Sequence, residues 1–422
     1  MTGRETPPGR TTRTRPVAGP WLGRDVAVEV SAVAHGGHCV ARPVGDPAGR
    51  VVFVRHALPG ERVVARVTED GGGAFCRADA VEILRPAPGR VAPPCGYAGP
   101  GGCGGCDWQH ADPDIQRGLK GSVVREALAR IAGLPAVDVE VAAVPGGPLG
   151  WRTRVQFAAD PAGRLGLRRH RSHQVQPLEH CPLAAPGVAR SGVLDRRWPG
   201  DAEVEVIAVG AGDPTVLSTR RRVLRTGPAV RTVQAAGRQW RLSAGAFWQV
   251  HPSAADTLAE CVRELLRPAP GESGLDLYAG AGLFAGVLAT GVGDTGRVLA
   301  IEGDRVAAAD ASANLADLGW VSVHRARVGA RVLADLAPRA DVVVLDPPRT
   351  GAGPEVTAAV CGLAPRAIAY VACDPAALAR DVRRAREHGY LLAAVRAFDI
   401  FPMTHHVECV ALLEPADAAG AG

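Results

Sequence analysis

Cys373, Glu408 and Asp346 are the residues of this sequence most clearly placed to do chemistry. Cys373 opens the string Cys373-Asp374-Pro375-Ala376, in which Asp374 suits a helix N-cap and Pro375 the first helical position. A thiol at a helix N-terminus can be drawn below its free pKa of about 8.5, which favours the nucleophilic thiolate. Glu408 stands at the head of the apolar run Cys409–Leu413, where a carboxylate is costly unless it is paired or used. Asp346 leads Asp346-Pro347-Pro348-Arg349, and the two prolines stiffen the turn that carries its carboxylate. Cys261, Cys361 and Cys409 lie inside apolar runs and read as packed structural thiols.

A second group of thiols has another character. Cys95, Cys103 and Cys106 share one Gly-rich loop that runs on into Asp107-Trp108-Gln109-His110. Glycine lets a chain fold tightly round a compact metal centre. Cys181, in Leu178-Glu179-His180-Cys181-Pro182, is the best fourth ligand, with His110 and His180 as possible substitutes. Four thiolates fit a [4Fe–4S] cluster or a structural zinc, and spacing does not decide between them.

The elements that must position these groups are readable around them. Leu275–Tyr278 is a short apolar strand, Ala279–Gly282 a small-residue turn, and Leu283–Thr290 an apolar helix. Together they form the first half of a nucleotide-binding β-α-β unit. A second strand, Arg297–Ile301, ends at Glu302, where an acidic side chain can bind ribose hydroxyls. The turn lacks the Lys-Ser/Thr of a phosphate-binding loop, which argues against a nucleoside triphosphate. Strands at 341–345 and Ala367–Ala372 deliver Asp346 and Cys373, and ligands of open parallel sheets bind beyond such strand ends. Upstream, Asp112–Gly133 reads as one helix stopped by Gly133, while 137–239 reads as strands with basic runs at 164–171 and 220–225.

The expected architecture is α/β, in four stretches. Residues 1–20 form a basic tail, expected to be disordered. Residues 21–86 form a small OB-like β-barrel, with Val26, Val28 and Val30 and then Val63, Ala65 and Val67 alternating. Residues 87–240 form a mostly β central domain with the cysteine cluster, and 241–422 a Rossmann-like domain. A chain of 422 residues exceeds one typical domain. Its net charge of +5 permits a nucleic-acid partner without demanding one. The N-terminus has no signal-peptide core and the apolar runs are too short for a membrane span. A cytoplasmic protein without membrane contact is expected, and ten cysteines there point to metal or catalysis rather than disulfides.

Several motifs occur together in one order. Phe247-Trp248-Gln249, Asp276-Leu277-Tyr278-Ala279-Gly280-Ala281-Gly282, Ile301-Glu302-Gly303, Asp346-Pro347-Pro348-Arg349, Cys373-Asp374-Pro375 and His406-Val407-Glu408 resemble the RNA 5-methyluridine methyltransferase family. Ala57-Leu58-Pro59-Gly60-Glu61, with Gly36-Gly37 upstream, resembles the TRAM barrel of RNA-modifying enzymes, and Cys95, Cys103, Cys106 and Cys181 resemble the ligands of the family's iron–sulfur members. The resemblance covers residues from about 21 to 415 and implies S-adenosylmethionine-dependent methylation of uracil carbon 5 in RNA. It implies Cys373 as nucleophile, Glu408 as base, and Gln249, Tyr278, Glu302 and Asp346 as lining for the S-adenosylmethionine and uracil pocket. It implies a [4Fe–4S] cluster rather than zinc, a monomer, and large-subunit (23S) ribosomal RNA as partner ahead of transfer RNA. Leu283, Arg327 and His251 depart from residues frequent in the family. The rival readings are a cytosine-C5 RNA methyltransferase and a non-catalytic RNA-binding protein.

Overall fold

Alternation in the N-terminal valines buries one face of each strand and leaves the other to solvent. In the computed structural model, which describes residues 19–200, 202–219, 223–337 and 339–416, these strands close on themselves. They are β1 (Asp25–Val33), β2 (Cys39–Pro43), β3 (Val51–Arg55), β4 (Arg62–Glu69) and β5 (Phe75–Arg85), in the order β1-β2-β3-β5-β4 with β4 paired back to β1. Val28, Val52, Val54, Val63 and Ala65 fill the interior. The Pro-Gly-Glu turn ties the barrel to the chain that leaves it, since the buried Glu61 carboxylate accepts from the amides of Leu58 at 2.8 Å and Ala87 at 3.2 Å. Residues 1–18 of the expected basic tail, and Arg220, Arg221 and Arg222 of the second basic run, lie outside the described residues.

The described chain divides into two compact units, the barrel with its flanks (19–34 and 38–88) and a larger unit (35–37 and 89–416). The larger unit begins with α1 (Pro113–Ala132), stopped as expected by Gly133 at φ 71° and capped at its start by Asp112, whose side chain accepts from the Asp114 amide. The strand β6 (Val141–Ala143) follows. A six-stranded antiparallel sheet comes next, built from β7 (Arg154–Ala159), β8 (Leu165–Arg168), β9 (Val175–Pro177), β10 (Glu203–Ile207), β11 (Thr215–Ser218) and β12 (Val223–Thr226), with the short helix α2 (Pro186–Arg190) between β9 and β10. A hairpin of β13 (Val230–Ala235) and β14 (Arg238–Ser243) leads into the last part of the chain.

That part alternates helix and strand: α3 (Ala254–Leu266), β15 (Ser273–Leu277), α4 (Leu283–Val292), β16 (Arg297–Glu302), α5 (Arg305–Asn314), β17 (Val321–Arg325), α6 (Ala330–Leu336), β18 (Val342–Leu345), α7 (Pro354–Gly362), β19 (Ala367–Ala372), α8 (Pro375–Glu387), β20 (Tyr390–Asp399) and β21 (Glu408–Pro415). The sheet order is β17-β16-β15-β18-β19-β21-β20-β6. The five strands from β17 to β19 are parallel, and β21 is inserted antiparallel between β19 and β20. Strands β15, β18 and β19 are buried on both faces, which their continuous apolar sequences require.

Two segments sit elsewhere than their sequence positions implied. Helix α1 and β6, within the expected central stretch 87–240, are built into the C-terminal α/β layer: β6 pairs with β20, and Val124 and Leu128 share a core with Leu378 and Val382. Trp240, fully buried, packs into the core under α4, and its indole N–H bonds Ala235 O at 2.8 Å. An apolar stripe tells which face of a helix is covered but not by what. Among the described residues, no helix is long and apolar enough to cross a membrane.

Trp240→Ala should lower the stability of this unit by about 3–5 kcal/mol, because a large buried ring leaves an unfilled cavity. Urea unfolding followed by circular dichroism measures it. An unchanged midpoint would place the β13–β14 hairpin outside the cooperative core.

Candidate active site

The register of β21 against β19 assembles the reactive pair. Ala372 lies opposite Cys409, so the next residues outward, Cys373 and Glu408, meet at the same sheet edge. Asp346 follows the end of β18 on the neighbouring strand. Tyr278 follows β15, and Glu302 ends β16. These are the carboxyl ends of parallel strands, where α/β sheets bind ligands. Gln249 arrives from the loop before α3, which β7 holds in place: the Thr153 amide and hydroxyl both donate to Val250 O, at 2.9 and 2.8 Å. Arg154 grips the same loop through Ala246 O at 2.7 Å and is itself fixed by both oxygens of Glu205.

Gln249, Tyr278, Glu302, Asp346, Cys373 and Glu408 thus line one cleft. Its volume is about 930 Å³, at the upper end of the roughly 300–1,000 Å³ of a small-molecule pocket. Phe247, more than half exposed, and Arg349 stand in its wall.

Acid groups crowd the pair. Burial, and then the charge of Asp346, raises Glu408 well above the ordinary carboxylate range, while Arg349 pulls the other way. Burial raises Asp346 as well. Cys373 is pushed up to about 12 by burial first and by Glu408 second, again against Arg349. This corrects the expectation of a depressed thiol at a helix N-terminus. Asp374 caps α8, accepting from the Ala377 amide at 2.8 Å, and its negative charge offsets the helix end. Arg349, quoted in the sequence motif without a role, is the cation that favours ionisation of both Cys373 and Glu408. Its guanidinium donates to His406 Nε2 at 3.2 Å, and burial drives that imidazole down to about 3, so it stays neutral.

The side of the cleft at the ends of β15 and β16 is shaped by backbone. Gly282 takes φ 97°, and a Cβ there would come within 2.8 Å of Leu315 Cδ1. Tyr278 adopts φ 63° without being glycine, a conformation that costs of order 1–3 kcal/mol and collects at functional sites. Glu302 accepts from the amides of Gly280 at 2.8 Å and Asp304 at 2.6 Å, which fixes its carboxylate at the strand end. Asp276, fully buried, is pushed up to about 8 by burial. It accepts from the Ala285 amide at 2.7 Å, while its other oxygen has no partner. Its setting depends on packing that the string Asp276-Leu277-Tyr278 does not reveal. Neither Leu283 nor His251 reaches the cleft; both are buried.

Cys95, Cys103, Cys106 and Cys181 line a separate small pocket with Gln109, Arg152 and His180. The Gly105 amide donates to Cys103 Sγ at 3.4 Å and the Gln109 side chain to Cys106 Sγ at 3.1 Å. Gly104 lies so close to the neighbouring strand that a Cβ would fall 2.6 Å from the His170 amide. Burial raises Cys103 and pushes Cys106 up to about 12. An all-thiol donor set with N–H groups turned toward sulfur suits an iron–sulfur or zinc centre. Among the described residues no group of three or more His, Cys, Asp or Glu side chains is arranged to hold a metal ion. None of the ten cysteines is in a disulfide.

Known proteins resemble this chain along most of its length. A family described as tRNA (uracil-5-)-methyltransferase matches residues 218–416, and the TRAM domain matches residues 22–81. An uncharacterized RNA methyltransferase of Streptomyces coelicolor is 50% identical, over 94% of this chain and 94% of the relative. The 23S rRNA (uracil(1939)-C(5))-methyltransferase RlmD of Halomonas elongata is 32% identical, over 92% of this chain and 89% of its own. The crystal structure of Pyrococcus abyssi tRNA (uracil-54, C5)-methyltransferase in complex with S-adenosyl-L-homocysteine has the same fold, with a TM-score of 0.68 and 21% identity over 92% of this chain and 99% of that one.

The raised thiol has a measurable signature. In the free protein, iodoacetamide should label Cys373 more slowly at neutral pH than an ordinary thiol of pKa about 8.5, with a rate that climbs as pH rises toward about 12. Arg349→Ala should slow it further. Peptide-resolved mass spectrometry measures both effects, and a rate already flat above neutral pH would contradict them.

Proposed function

The chain belongs to the tRNA (uracil-5-)-methyltransferase family of S-adenosylmethionine-dependent RNA methyltransferases, and on that premise we propose that it methylates carbon 5 of a uridine in large-subunit ribosomal RNA through a covalent bond to Cys373. The observation that carries this reading is the juxtaposition of Cys373 and Glu408 across β19 and β21, at the wall of the cleft that Gln249, Tyr278, Glu302 and Asp346 also line.

Uracil carbon 5 is too weak a nucleophile to take a methyl group unaided. The Cys373 thiol first loses its proton to water in the open cleft, with Arg349 as the favouring charge. Sulfur then bonds to carbon 6, and the electrons of the carbon 5–carbon 6 double bond move to oxygen 4 as an enolate. The enolate electrons return through carbon 5 to the methyl carbon of S-adenosylmethionine. The methyl–sulfonium bond breaks, and its electron pair stays on S-adenosylhomocysteine. Glu408 takes the carbon 5 proton, the double bond re-forms, and the carbon 6–sulfur pair leaves on Cys373 as thiolate, which regains a proton from water. The sum is uridine and S-adenosylmethionine to 5-methyluridine, S-adenosylhomocysteine and a proton. A raised Glu408 suits this role, since its carboxylate is a stronger base than an ordinary one. The target uracil must leave its stack to reach Cys373.

Gln249, Tyr278, Glu302 and Asp346 bind the donor and the uracil in this reading, with Glu302 toward the ribose. Large-subunit RNA is supported by the 32% identical Halomonas relative, which carries that substrate in its name. Mapping 5-methyluridine in RNA from a deletion strain tests it, and a mark lost from transfer RNA alone would redirect the substrate.

Cys95, Cys103, Cys106 and Cys181 would hold a [4Fe–4S] cluster, a reading supported by the four thiols that line their pocket and by its N–H donors to sulfur. A cluster there braces the loop 95–106; the methyl transfer has no redox step. Protein purified without oxygen should contain iron and sulfide, and Cys181→Ser should lose both. Stoichiometric zinc without sulfide would overturn the assignment.

The mechanism predicts that two variants fail differently. Cys373→Ala should bind both substrates and form no adduct. Glu408→Gln should carry out addition and methyl transfer and then stall, so a methylated protein–RNA complex survives a denaturing gel. Absence of that band, in folded protein that binds both substrates, would reject Glu408 as the base.

A further inference from the structure

Glu408 is the first residue of β21, and the loop 400–407 joins it to β20. That loop carries Phe401, Thr404 and His406 into the cleft wall. It has no helix or strand of its own, and Met403 at its centre takes φ 67° without being glycine. Such a conformation persists only where surrounding contacts hold it.

Those contacts come from one short stretch far upstream. The Met403 carbonyl accepts from the amides of Asp107 at 3.0 Å and Trp108 at 3.1 Å. The Met403 amide donates to Gln116 Oε1 at 2.8 Å, and Gln116 Nε2 donates to Met403 Sδ at 3.2 Å and to Ala111 O at 2.8 Å. Asp107 Oδ2 accepts from the His405 amide at 3.1 Å and pairs with its ring at 2.7 Å. Lys120 bonds Asp399, the last residue of β20, and donates to Phe401 O at 3.0 Å. Gln116 and Lys120 are both fully buried in α1. Lys120 is also the one lysine of the sequence, among 48 Lys and Arg residues. An ammonium is compact and can reach a carboxylate and a carbonyl in a closed space, where a planar guanidinium needs more room.

We propose that Gln116 and Lys120 are positioning residues for proton removal: they fix the loop 400–407 on α1 and so set the place of Glu408 at the cleft. Neither residue lines the cleft, so neither touches substrate. A general base must lie within hydrogen-bond reach of the proton it takes, and a displacement of about 1 Å costs on the order of 100-fold in rate. The donor site at the ends of β15 and β16 is built from other elements. Loosening the loop therefore slows the step that Glu408 performs and leaves donor binding alone. The inference rests on the assignment of Glu408 as the base.

Gln116→Met keeps the length and apolar packing of the side chain and removes its hydrogen bonds. It should lower kcat by about tenfold or more with S-adenosylmethionine affinity unchanged by calorimetry. The methylated covalent complex should accumulate on a denaturing gel, as it does for Glu408→Gln. Lys120→Arg, which keeps the charge, should behave in the same way. A loss of folded protein alone lowers activity without accumulating adduct, so the trapped complex separates positioning from stability. If Glu408→Gln traps adduct and folded Gln116→Met does not, the positioning role is overturned. If neither traps it, the assignment of Glu408 fails instead. Wild-type kcat in both folded α1 variants would also overturn the proposal.

Discussion

The antiparallel insertion of β21 between β19 and β20 is the constraint on which the site depends. In a purely parallel sheet, the residue that leaves one strand tip has for neighbours the tips of other outgoing strands. An antiparallel neighbour instead brings its first residue to that edge. The pairing of Ala372 with Cys409 places Glu408 beside Cys373 by backbone register, before any side-chain contact is counted. A slip of one residue would turn Glu408 to the other face of the sheet. The hairpin that sets this register is long and irregular at its turn, and it is held by α1 and the stretch before it as well as by its own bonds.

Electrostatics follows from the same crowding. A thiol and two carboxyls share a poorly solvated space with Arg349 as the opposing cation. Placing like charges together in low dielectric is costly, so burial and mutual repulsion raise the pKa of Cys373 and Glu408. The thiol is therefore at rest in the free enzyme.

Local signals in the sequence carry much of this. Asp112 and Gly133 bracket α1, Asp374 and Pro375 open α8, and the Gly-rich turn follows β15 where the pattern places it. Each rests on backbone chemistry within a few residues. Gln249, Tyr278, Glu302, Asp346, Cys373 and Glu408 line one cleft; five of them sit at strand ends, which can be located from where apolar runs begin or stop, while Gln249 lies in the loop before α3. Local patterns do not give the pairing between distant segments. Lys120 and Asp399 are 279 residues apart, and an apolar stripe on α1 does not name its partner. The raised thiol of Cys373 is hidden from the sequence for the same reason: the helix end lies next to it in the chain, whereas Glu408 and Asp346 reach it only through the fold.

The central claim is that Cys373 adds to uracil before the methyl group moves. An RNA carrying 5-fluorouridine at the target position tests this in the wild-type enzyme. Fluorine cannot leave carbon 5 as a proton does, so catalysis must stop after methyl transfer. Mass spectrometry of the denatured, digested complex should find one nucleotide, bearing both fluorine and the donated methyl, bonded to the peptide that contains Cys373. A nucleotide bonded to another residue, or free methylated product with no bound RNA, would contradict the account.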